Sequence, residues 1–337
     1  MTELDIERPD ELLTFLRSGY IQPDERPTII VLAGGVSNRT VLVERPSGEA
    51  WVLKQALGKL RVDVDWFSDP ARIEREAMGI RHLADLAPKG AITPLVFENA
   101  EHHLLAMQAV PRPHENWKER LLAGQIEQGE VEQFGRLLGT IHRNAWQQRE
   151  KLRPLFQDAQ FFESLRLEPY YAYSADQAPE VGDVMRDLIA TTRRRRLTLV
   201  HGDYSPKNIL VRNGRLVLLD HEVIHWGDPA FDLGFSLTHL LSKTHHCVEH
   251  RKTFMRMCEI YWNAYSDEVK TVPWAAEVEP YAVWHTLGCL LARAVGRSKL
   301  EYLSEQERSR QRQAACVLLQ HRPSRVVDLI QEFIAKV

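Results

Sequence analysis

The sequence predicts an α+β protein with two lobes, a small β-rich lobe followed by a larger helical one. Three β-rich runs lie near the start of the chain and are joined by the turn-forming sequences GGVSN and RPSGEA, which predicts an antiparallel meander. The runs are 28–33, 39–44 and 50–55. From residue 127 onward apolar residues recur mainly at helical spacing. Pro111 and Pro113 interrupt the pattern between the two parts. We therefore predict an N-lobe at 1–110 and a C-lobe at 111–337.

Further elements follow from periodicity and from start and stop residues. In the N-lobe we expect helices at 9–19 and 70–86 and two more short strands at 93–98 and 103–109. In the C-lobe we expect helices at 127–145, 158–166, 180–194, 230–243, 249–266, 278–295 and 305–335. A short β insert at 199–222 interrupts these helices.

Composition indicates a globular enzyme rather than a nucleic-acid or membrane protein. The formal net charge of the 337 residues is −3, so the chain has no excess of basic residues that would favour binding to nucleic acid. The sequence contains no run of about 18 apolar residues, the length that a membrane-spanning helix needs. The four cysteines show no CxxC spacing, which is typical of reduced core cysteines in the cytoplasm.

The strongest motif is HGDYSPKN at 201–208, which contains Asp203 and Asn208 five residues apart. The runs ILV and LVLL follow, joined by a turn at Asn213-Gly214. A hairpin there would bring Asp220 back beside Asn208.

Phosphoryl transfer from ATP needs this combination of side chains. One carboxylate orients the attacking hydroxyl and accepts its proton, while a side-chain oxygen and a second carboxylate hold Mg²⁺ on the phosphates. The alternative is a loop in which Asp and Asn only cap turns. The number of suitable residues at suitable spacing favours the catalytic interpretation.

The motif resembles the catalytic loop of the aminoglycoside phosphotransferase and choline kinase superfamily, which shares the bilobal protein-kinase-like fold. The resemblance implies that Asp203 is the catalytic base, that Asn208 is a metal ligand and that Asp220 is the equivalent of the DFG aspartate. His-Gly-Asp replaces the protein-kinase His-Arg-Asp, and Asp220-His221-Glu222 replaces Asp-Phe-Gly. Both differences point to small-molecule substrates. By the same resemblance we expect Asp232 to accept backbone N–H groups of the catalytic loop.

Lys54 lies at the end of the third predicted strand, from which a lysine can reach the α- and β-phosphates of a nucleotide. Its ion-pair partner should lie on the helix at 70–86, where both Glu74 and Glu76 are available. We prefer Glu76, because the sequence EAMGIRHL resembles the family pattern, and Glu74 stays the alternative.

The loop between the first two strands contains Gly34, Gly35, Ser37 and Asn38. Glycines there let backbone N–H groups approach phosphates closely, so we expect this loop to bind the nucleotide. The segment 107–111 is expected to offer backbone groups to adenine. No GxxxxGK[ST] motif occurs, which excludes a P-loop enzyme.

Glu222 is predicted to be a third metal ligand. Side chains alternate along a strand, so extended backbone through residue 222 would place Asp220 and Glu222 on the same side. Two neighbouring carboxylates suit Mg²⁺ and would otherwise repel each other. The alternative is a solvated residue at a strand end.

A second resemblance covers part of the N-lobe. KQALGKLRVDVDWFSDPARIEREA and LAMQAVPRPHENWKERLLAG look like the corresponding segments of 5-methylthioribose kinases. With the basic residues between 245 and 325, it favours a pentose-like acceptor over a polycationic antibiotic.

The sequence therefore predicts an ATP- and Mg²⁺-dependent kinase that phosphorylates a hydroxyl group of a small molecule such as a sugar or an amino alcohol. The alternatives are an antibiotic phosphotransferase, a non-catalytic kinase-like binding protein and a protein kinase. A protein kinase is disfavoured because no activation loop separates Asp220 from Asp232.

Overall fold

A computed structural model of the chain describes residues 4–33, 35–61 and 65–337. The strands are β1 (Thr28–Val31), β2 (Asn38–Glu44), β3 (Ala50–Ala56), β4 (Leu95–Asn99), β5 (Leu104–Gln108), β6 (Glu115–Asn116), β7 (Thr198–Val200), β8 (Ile209–Arg212), β9 (Arg215–Leu218) and β10 (His225–Gly227). The helices of the first half are α1 (Pro9–Arg17), α2 (Arg72–Leu86), α3 (Trp117–Leu122), α4 (Gln128–Gln147), α5 (Arg149–Phe156), α6 (Gln160–Phe162) and α7 (Tyr173–Gln177). The later helices are α8 (Gly182–Arg194), α9 (Pro229–His246), α10 (Arg251–Val269), α11 (Val278–Val295), α12 (Glu305–Gln320) and α13 (Val326–Ile334).

The N-lobe is built on an antiparallel five-stranded sheet with the order β1-β2-β3-β5-β4. The predicted meander of three strands is therefore confirmed, and β5 pairs with β3 as the fourth strand of the sheet. Helix α1 covers one face of the sheet, where Leu12 and Leu16 join the buried cluster of Val41, Val43 and Leu53. Helix α2 packs against β3, β4 and β5. Burial of apolar surface between α2 and the sheet holds the side chains of β3 next to those of α2.

The C-lobe is mainly helical, as predicted. Helix α4 packs on α10, and α11 packs on both α9 and α12. The predicted β insert is also present, since β8 and β9 form an antiparallel hairpin with a turn at Asn213-Gly214. Both turn residues have positive φ, which asparagine and glycine adopt most readily. The Leu219 N–H donates to the Asn208 carbonyl oxygen at 2.9 Å, so the hairpin returns the chain beside Asn208.

Two predicted helices differ from those observed. The helix expected at 158–166 is only α6, which continues as a π-helical segment at Glu163–Ala172. Pro169 lies inside that segment, and a proline has no N–H for the regular helical hydrogen bond. The helix expected at 305–335 is two helices, α12 and α13, since Pro323 lies between them.

The architecture matches the predicted bilobal kinase-like α+β class, with a sheet-based N-lobe and a helical C-lobe. The sheet of the N-lobe ends at Gln108, and β6 already pairs with β8 of the C-lobe. The lobe boundary near residue 110 stays a proposal. Within the described residues no helix is both long enough and apolar enough to cross a membrane.

Candidate active site

A cavity of about 1470 Å³ lies between the sheet of the N-lobe and the C-lobe. Its size exceeds that of a typical small-molecule site and leaves room for two ligands side by side. The predicted site residues in its lining are Gly35, Ser37, Asn38, Lys54, Asp203, Asn208, Asp220, Glu222 and the segment 107–111. Glu76 contacts this group from behind through Lys54. Gly34, which was predicted to belong to the phosphate loop, lies outside the described residues.

The loop that follows β7 carries Asp203 and is held by one carboxylate. Asp232, in the first turn of α9, is fully buried. Its Oδ2 accepts the backbone N–H of His201 at 2.7 Å, and its Oδ1 accepts that of Gly202 at 2.8 Å. The prediction that Asp232 accepts backbone N–H groups of this loop is thereby confirmed. Two hydrogen bonds to a buried charge fix the backbone next to Asp203.

The two oxygens of the Asp203 carboxylate have different surroundings. Oδ2 accepts from Asn208 Nδ2 at 2.8 Å and pairs with Lys207 Nζ at 2.9 Å and Arg166 Nη2 at 3.1 Å. Oδ1 is also buried but has no hydrogen-bond partner among the residues described. A buried carboxylate oxygen without a partner is costly unless a ligand completes it. The arrangement leaves Oδ1 available to a hydroxyl group in the cavity.

The charges around Asp203 keep it ionised. Burial would raise the pKa of this carboxyl group, but the positive charges of Arg166 and Lys207 more than offset burial and lower the pKa below its ordinary value. Asp203 is thus a carboxylate over the whole neutral range, the form that can accept a hydrogen bond or a proton.

Lys54 on β3 bridges two carboxylates. Its Nζ lies 2.7 Å from Glu76 Oε1 and 2.9 Å from Asp220 Oδ1. The structure therefore pairs Lys54 with Glu76 of α2, whereas Glu74 lies at the surface, 4.0 Å from His103. Glu76, and not Glu74, is therefore the ion-pair partner of Lys54 in this structure.

The electrostatics of this bridge favour a charged lysine. Burial would lower the pKa of Lys54, but the negative charges of Asp220 and Glu76 raise it above its ordinary value. Glu76 is fully buried, and burial acts to raise its pKa while the charge of Lys54 acts to lower it. Burial also acts to raise the pKa of Asp220, but Lys54 and Lys207 lower it. A firmly cationic Lys54 is held in the cavity wall.

The cavity wall also contains a group of acidic oxygens suited to a divalent cation. Carboxylate oxygens of Glu76, Asp220 and Glu222 all lie within 4.8 Å of one another. Glu222 reaches this group although the backbone reasoning behind its prediction was wrong. Strand β9 ends at Leu218, and Asp220 has a φ of 68°, so the extended geometry does not continue to residue 222.

Glu222 also has a structural contact that the sequence did not indicate. Its Oε2 accepts from Arg72 Nε at 3.1 Å and from Asn38 Nδ2 at 3.2 Å. Arg72 is fully buried, and its guanidinium group also donates to the Ser37 and Leu57 carbonyl oxygens. Glu222 therefore links Asn38 and Arg72 to the acidic group, and its role as a metal ligand stays a prediction.

Asn208 uses its amide nitrogen to hold Asp203. Nδ2 donates to the Asp203 carbonyl oxygen at 2.9 Å and to Asp203 Oδ2 at 2.8 Å. Since the two atoms of an amide point apart, its side-chain oxygen faces away from Asp203. Its proposed role as a metal ligand stays a prediction.

The glycine-containing loop turns tightly before β2. A Cβ added at Gly35 would lie 2.7 Å from the Asn38 carbonyl oxygen, so no larger residue fits this turn without a shift. The Leu57 N–H donates to the Ser37 carbonyl oxygen at 3.0 Å. Asn38 donates to Ser37 Oγ at 3.1 Å. The described part of the loop is thus fixed from the side of β3 and α2.

Three residues of the site were missed by the sequence reasoning. Lys207 lies inside the recognised motif, where its charge could have been noted. Arg166 comes from the π-helical segment, and its contact with Asp203 spans 37 residues, which no local pattern reveals. Arg72 begins α2, where an arginine is usually exposed, and only the fold buries it.

Comparisons with known proteins identify the family and the fold of the chain. Residues 28–265 match the family model described as "Phosphotransferase enzyme family". No curated protein matches the sequence. Three similar solved structures are the amicoumacin kinase hAmiN with AMP-PNP, Ca²⁺ and Ami, the choline kinase LicA from Streptococcus pneumoniae, and the aminoglycoside phosphotransferase APH(2'')-Ib bound to ADP.

These three structures share the fold at low sequence identity. For hAmiN the TM-score is 0.55 and the identity 17%, over 96% of this chain and 98% of the other. For LicA the values are 0.52 and 15%, over 93% and 98%. For APH(2'')-Ib they are 0.53 and 14%, over 93% and 99%. With a family model that covers most of the chain, we conclude that this protein belongs to the phosphotransferase enzyme family.

Proposed function

We propose that the protein transfers the γ-phosphoryl group of ATP to a hydroxyl group of a small molecule, with Mg²⁺ as the metal ion. The observation that carries the proposal is the asymmetry of Asp203. Its Oδ2 is engaged by three donors, while Oδ1 is buried without a partner among the described residues and lines the same cavity as Lys54 and Asp220. This is the arrangement expected of a base that receives the proton of an acceptor hydroxyl.

Each side chain has one role in this proposal. Asp203 Oδ1 orients the hydroxyl and accepts its proton while the hydroxyl oxygen bonds to the γ-phosphorus of ATP. The bond between that phosphorus and the bridging oxygen breaks, and ADP leaves with the electron pair. Lys54, held by Glu76, binds the α- and β-phosphates. The described part of the loop, 35–38, covers the phosphates, and the segment 107–111 binds adenine.

The acidic group at the cavity wall fits Mg²⁺. Carboxylate oxygens of Asp220 and Glu222 and the side-chain oxygen of Asn208 are the hard ligands this ion prefers. Bound there, the ion would neutralise negative charge on the phosphates. Asp220 is the primary ligand in this assignment, because its lowered pKa keeps it ionised beside Lys54.

The experiment is a screen of hydroxyl compounds with ATP and Mg²⁺, read by ADP release and by the mass of the product. The panel contains sugars, amino alcohols, hydroxy acids and aminoglycoside and macrolide antibiotics. We expect a phosphorylated product with at least one member, and formation of that product should be at least about 10²-fold slower with Asp203→Asn. Saturable ATP binding without turnover across the panel would contradict the proposal and support a non-catalytic binding protein instead.

A further inference from the structure

The C-lobe side of the cavity carries several positive charges, two of which contact Asp203. Five cationic side chains of the C-lobe, which we call the cationic wall, face it: Lys118, Arg166, Lys207, Arg297 and Lys299. Lys118 pairs with Glu301, and Arg166 and Lys207 pair with Asp203. Arg297 and Lys299 form no ion pair with any carboxylate in residues 4–33, 35–61 and 65–337. Arg297 Nη1 does donate to the Asp65 carbonyl oxygen at 3.5 Å, and its guanidinium carbon lies 5.2 Å from the centre of the Tyr173 ring, but neither contact neutralises its charge. The charges of Arg297 and Lys299 therefore remain for an anionic ligand.

The segment that carries these two cations is fixed by hydrogen bonds. The Gly296 N–H donates to the Ala292 carbonyl oxygen at 2.8 Å, and the Arg297 N–H donates to the Pro169 carbonyl oxygen at 3.2 Å. The Leu300 N–H donates to the Arg293 carbonyl oxygen at 3.1 Å. Because this backbone is already fixed, less of it has to be ordered when a ligand binds, which lowers the entropy cost of binding.

Behind this segment lies another positive charge. Arg293 is 4% exposed and donates from Nη1 to the Ser298 carbonyl oxygen and to Ser298 Oγ, both at 2.8 Å. Its guanidinium carbon lies 4.9 Å from the centre of the Tyr170 ring, and that of Arg166 lies 5.7 Å from the same ring. Within the described parts of the chain Arg293 has no carboxylate partner either, so its charge adds to the potential of the cationic wall.

The lining of the cavity also includes apolar and aromatic side chains. Leu60 and Trp66 line it from the N-lobe, and Leu165, Tyr170 and Tyr173 line it from the C-lobe. Such side chains bind the body of a small molecule, whereas the charged groups select its polar ends.

We propose that the phosphate acceptor is an anion, a hydroxyl compound that also carries a carboxylate or a phosphate ester. Its anionic group binds Arg297 and Lys299, and its hydroxyl reaches Asp203 Oδ1. The inference rests on the proposed phosphotransfer and deepens it by naming the class of acceptor. A positive potential attracts such a molecule and repels a polycation.

The test compares acceptors that carry an anionic group with neutral partners that lack it; the first pair below is nearly isosteric, and the second differs by a phosphate ester. One pair is glycerate and glyceramide, a second pair is ribose 5-phosphate and ribose, and a kanamycin-type polycation completes the set. We expect turnover with an anion of at least one pair and a kcat/KM at least about tenfold higher than for its neutral partner, the factor typical of one charged hydrogen bond. A preference for the carboxylate or for the phosphate pair identifies which anion the site takes.

The variants Arg297→Gln and Lys299→Gln test whether the wall produces that preference. Each should raise the acceptor KM about tenfold while the KM for ATP and kcat stay near their starting values. Arg310→Gln is the matched control, because Arg310 is exposed on α12 and does not line the cavity. A rise in the KM for ATP alone would assign these cations to the nucleotide and overturn the inference.

Binding provides a readout that does not need turnover. Thermal unfolding with AMP-PNP should show a larger rise in Tm with the anion of a pair than with its neutral partner, and the Arg297→Gln/Lys299→Gln double variant should lose that difference. Equal shifts, or efficient phosphorylation of the neutral or polycationic compounds alone, would overturn the anionic acceptor while leaving phosphotransfer intact. No phosphoryl transfer to any hydroxyl compound would instead contradict the proposed function.

Discussion

The ammonium group of Lys207 lies 2.9 Å from Oδ2 of Asp203, four residues earlier in the same loop. The contact places a positive charge beside Oδ2, the carboxylate oxygen that is not the proposed proton acceptor. Together with Arg166 it lowers the pKa of Asp203 below its ordinary value in spite of burial. The loop thus contains both the proposed base and a group that keeps the base ionised.

Replacing Lys207 should change the pH dependence of catalysis. In Lys207→Met the pKa of Asp203 should rise by about one unit or more, since a cation at this distance lowers a carboxyl pKa by that amount. More Asp203 is then protonated at a given acidic pH, so the acid limb of the kcat/KM profile should move to higher pH. Lys207→Arg keeps the charge and should leave the limb in place. An unchanged limb in Lys207→Met would mean that Asp203 does not limit the profile.

The contact of Lys54 with Glu76 leads to a second prediction. Lys54→Met should lower kcat/KM for ATP by a factor that corresponds to a loss of about 3 kcal/mol of transition-state stabilisation, because a fixed cation aimed at the phosphates is lost from a partly dry site. Glu76→Gln should approach this effect, since Lys54 then loses one of its two anionic partners. Glu74→Gln is the control and should be near wild type, because Glu74 lies at the surface. A large effect of Glu74→Gln with none of Glu76→Gln would reverse the assignment.

Asp220 and Glu222 should differ in their effect on the metal ion. Asp220→Asn should raise the Mg²⁺ concentration for half-maximal activity strongly, and Glu222→Gln should raise it less, because Glu222 also pairs with Arg72. The measurement is activity against Mg²⁺ at saturating ATP. If Glu222→Gln leaves the Mg²⁺ dependence unchanged but lowers Tm, Glu222 serves only as the partner of Arg72.

Arg72 should be important for stability. It is fully buried and holds Glu222 and the Ser37 carbonyl oxygen. Arg72→Met leaves Glu222 buried with less compensation, and breaking a buried ion pair in this way costs about 3–5 kcal/mol. Urea unfolding measures the loss. The exposed Arg81, which pairs with Glu98 at 2.8 Å, gives the matched control Arg81→Met, with a cost of about 1 kcal/mol or less. Similar values for the two variants would show that burial of Arg72 is not what stabilises this region.

The sequence predicted most of the fold because its signals are local. The turn at Asn213-Gly214 and the alternation on both sides of it identify the β8–β9 hairpin, and periodicity identifies α4, α9 and α11. The motif at 201–208 identifies Asp203 and Asn208 for the same reason. By contrast, the π-helical segment depends on Pro169 and on packing, and the short helices α3 and α5 have too few residues for a clear period.

The charged surroundings of the site could not be predicted in the same way. Arg166 reaches Asp203 from a distant segment, and the guanidinium carbon of Arg293 lies 4.9 Å from the centre of the Tyr170 ring, which is far away in the sequence. Glu222 was selected by an argument from extended backbone that does not hold at Asp220, yet it lies in the acidic group. Contacts of this kind arise from the assembled fold and leave no spacing pattern in the chain.

The central claim is that Asp203 is the base that receives the acceptor proton. The direct measurement is kcat of Asp203→Asn with an acceptor found in the screen, alongside the Kd for ATP. We predict that kcat falls by about 10²–10⁴-fold, the usual contribution of a general base, while the Kd for ATP stays close to that of the parent protein. A variant that retains near-normal kcat would contradict the account.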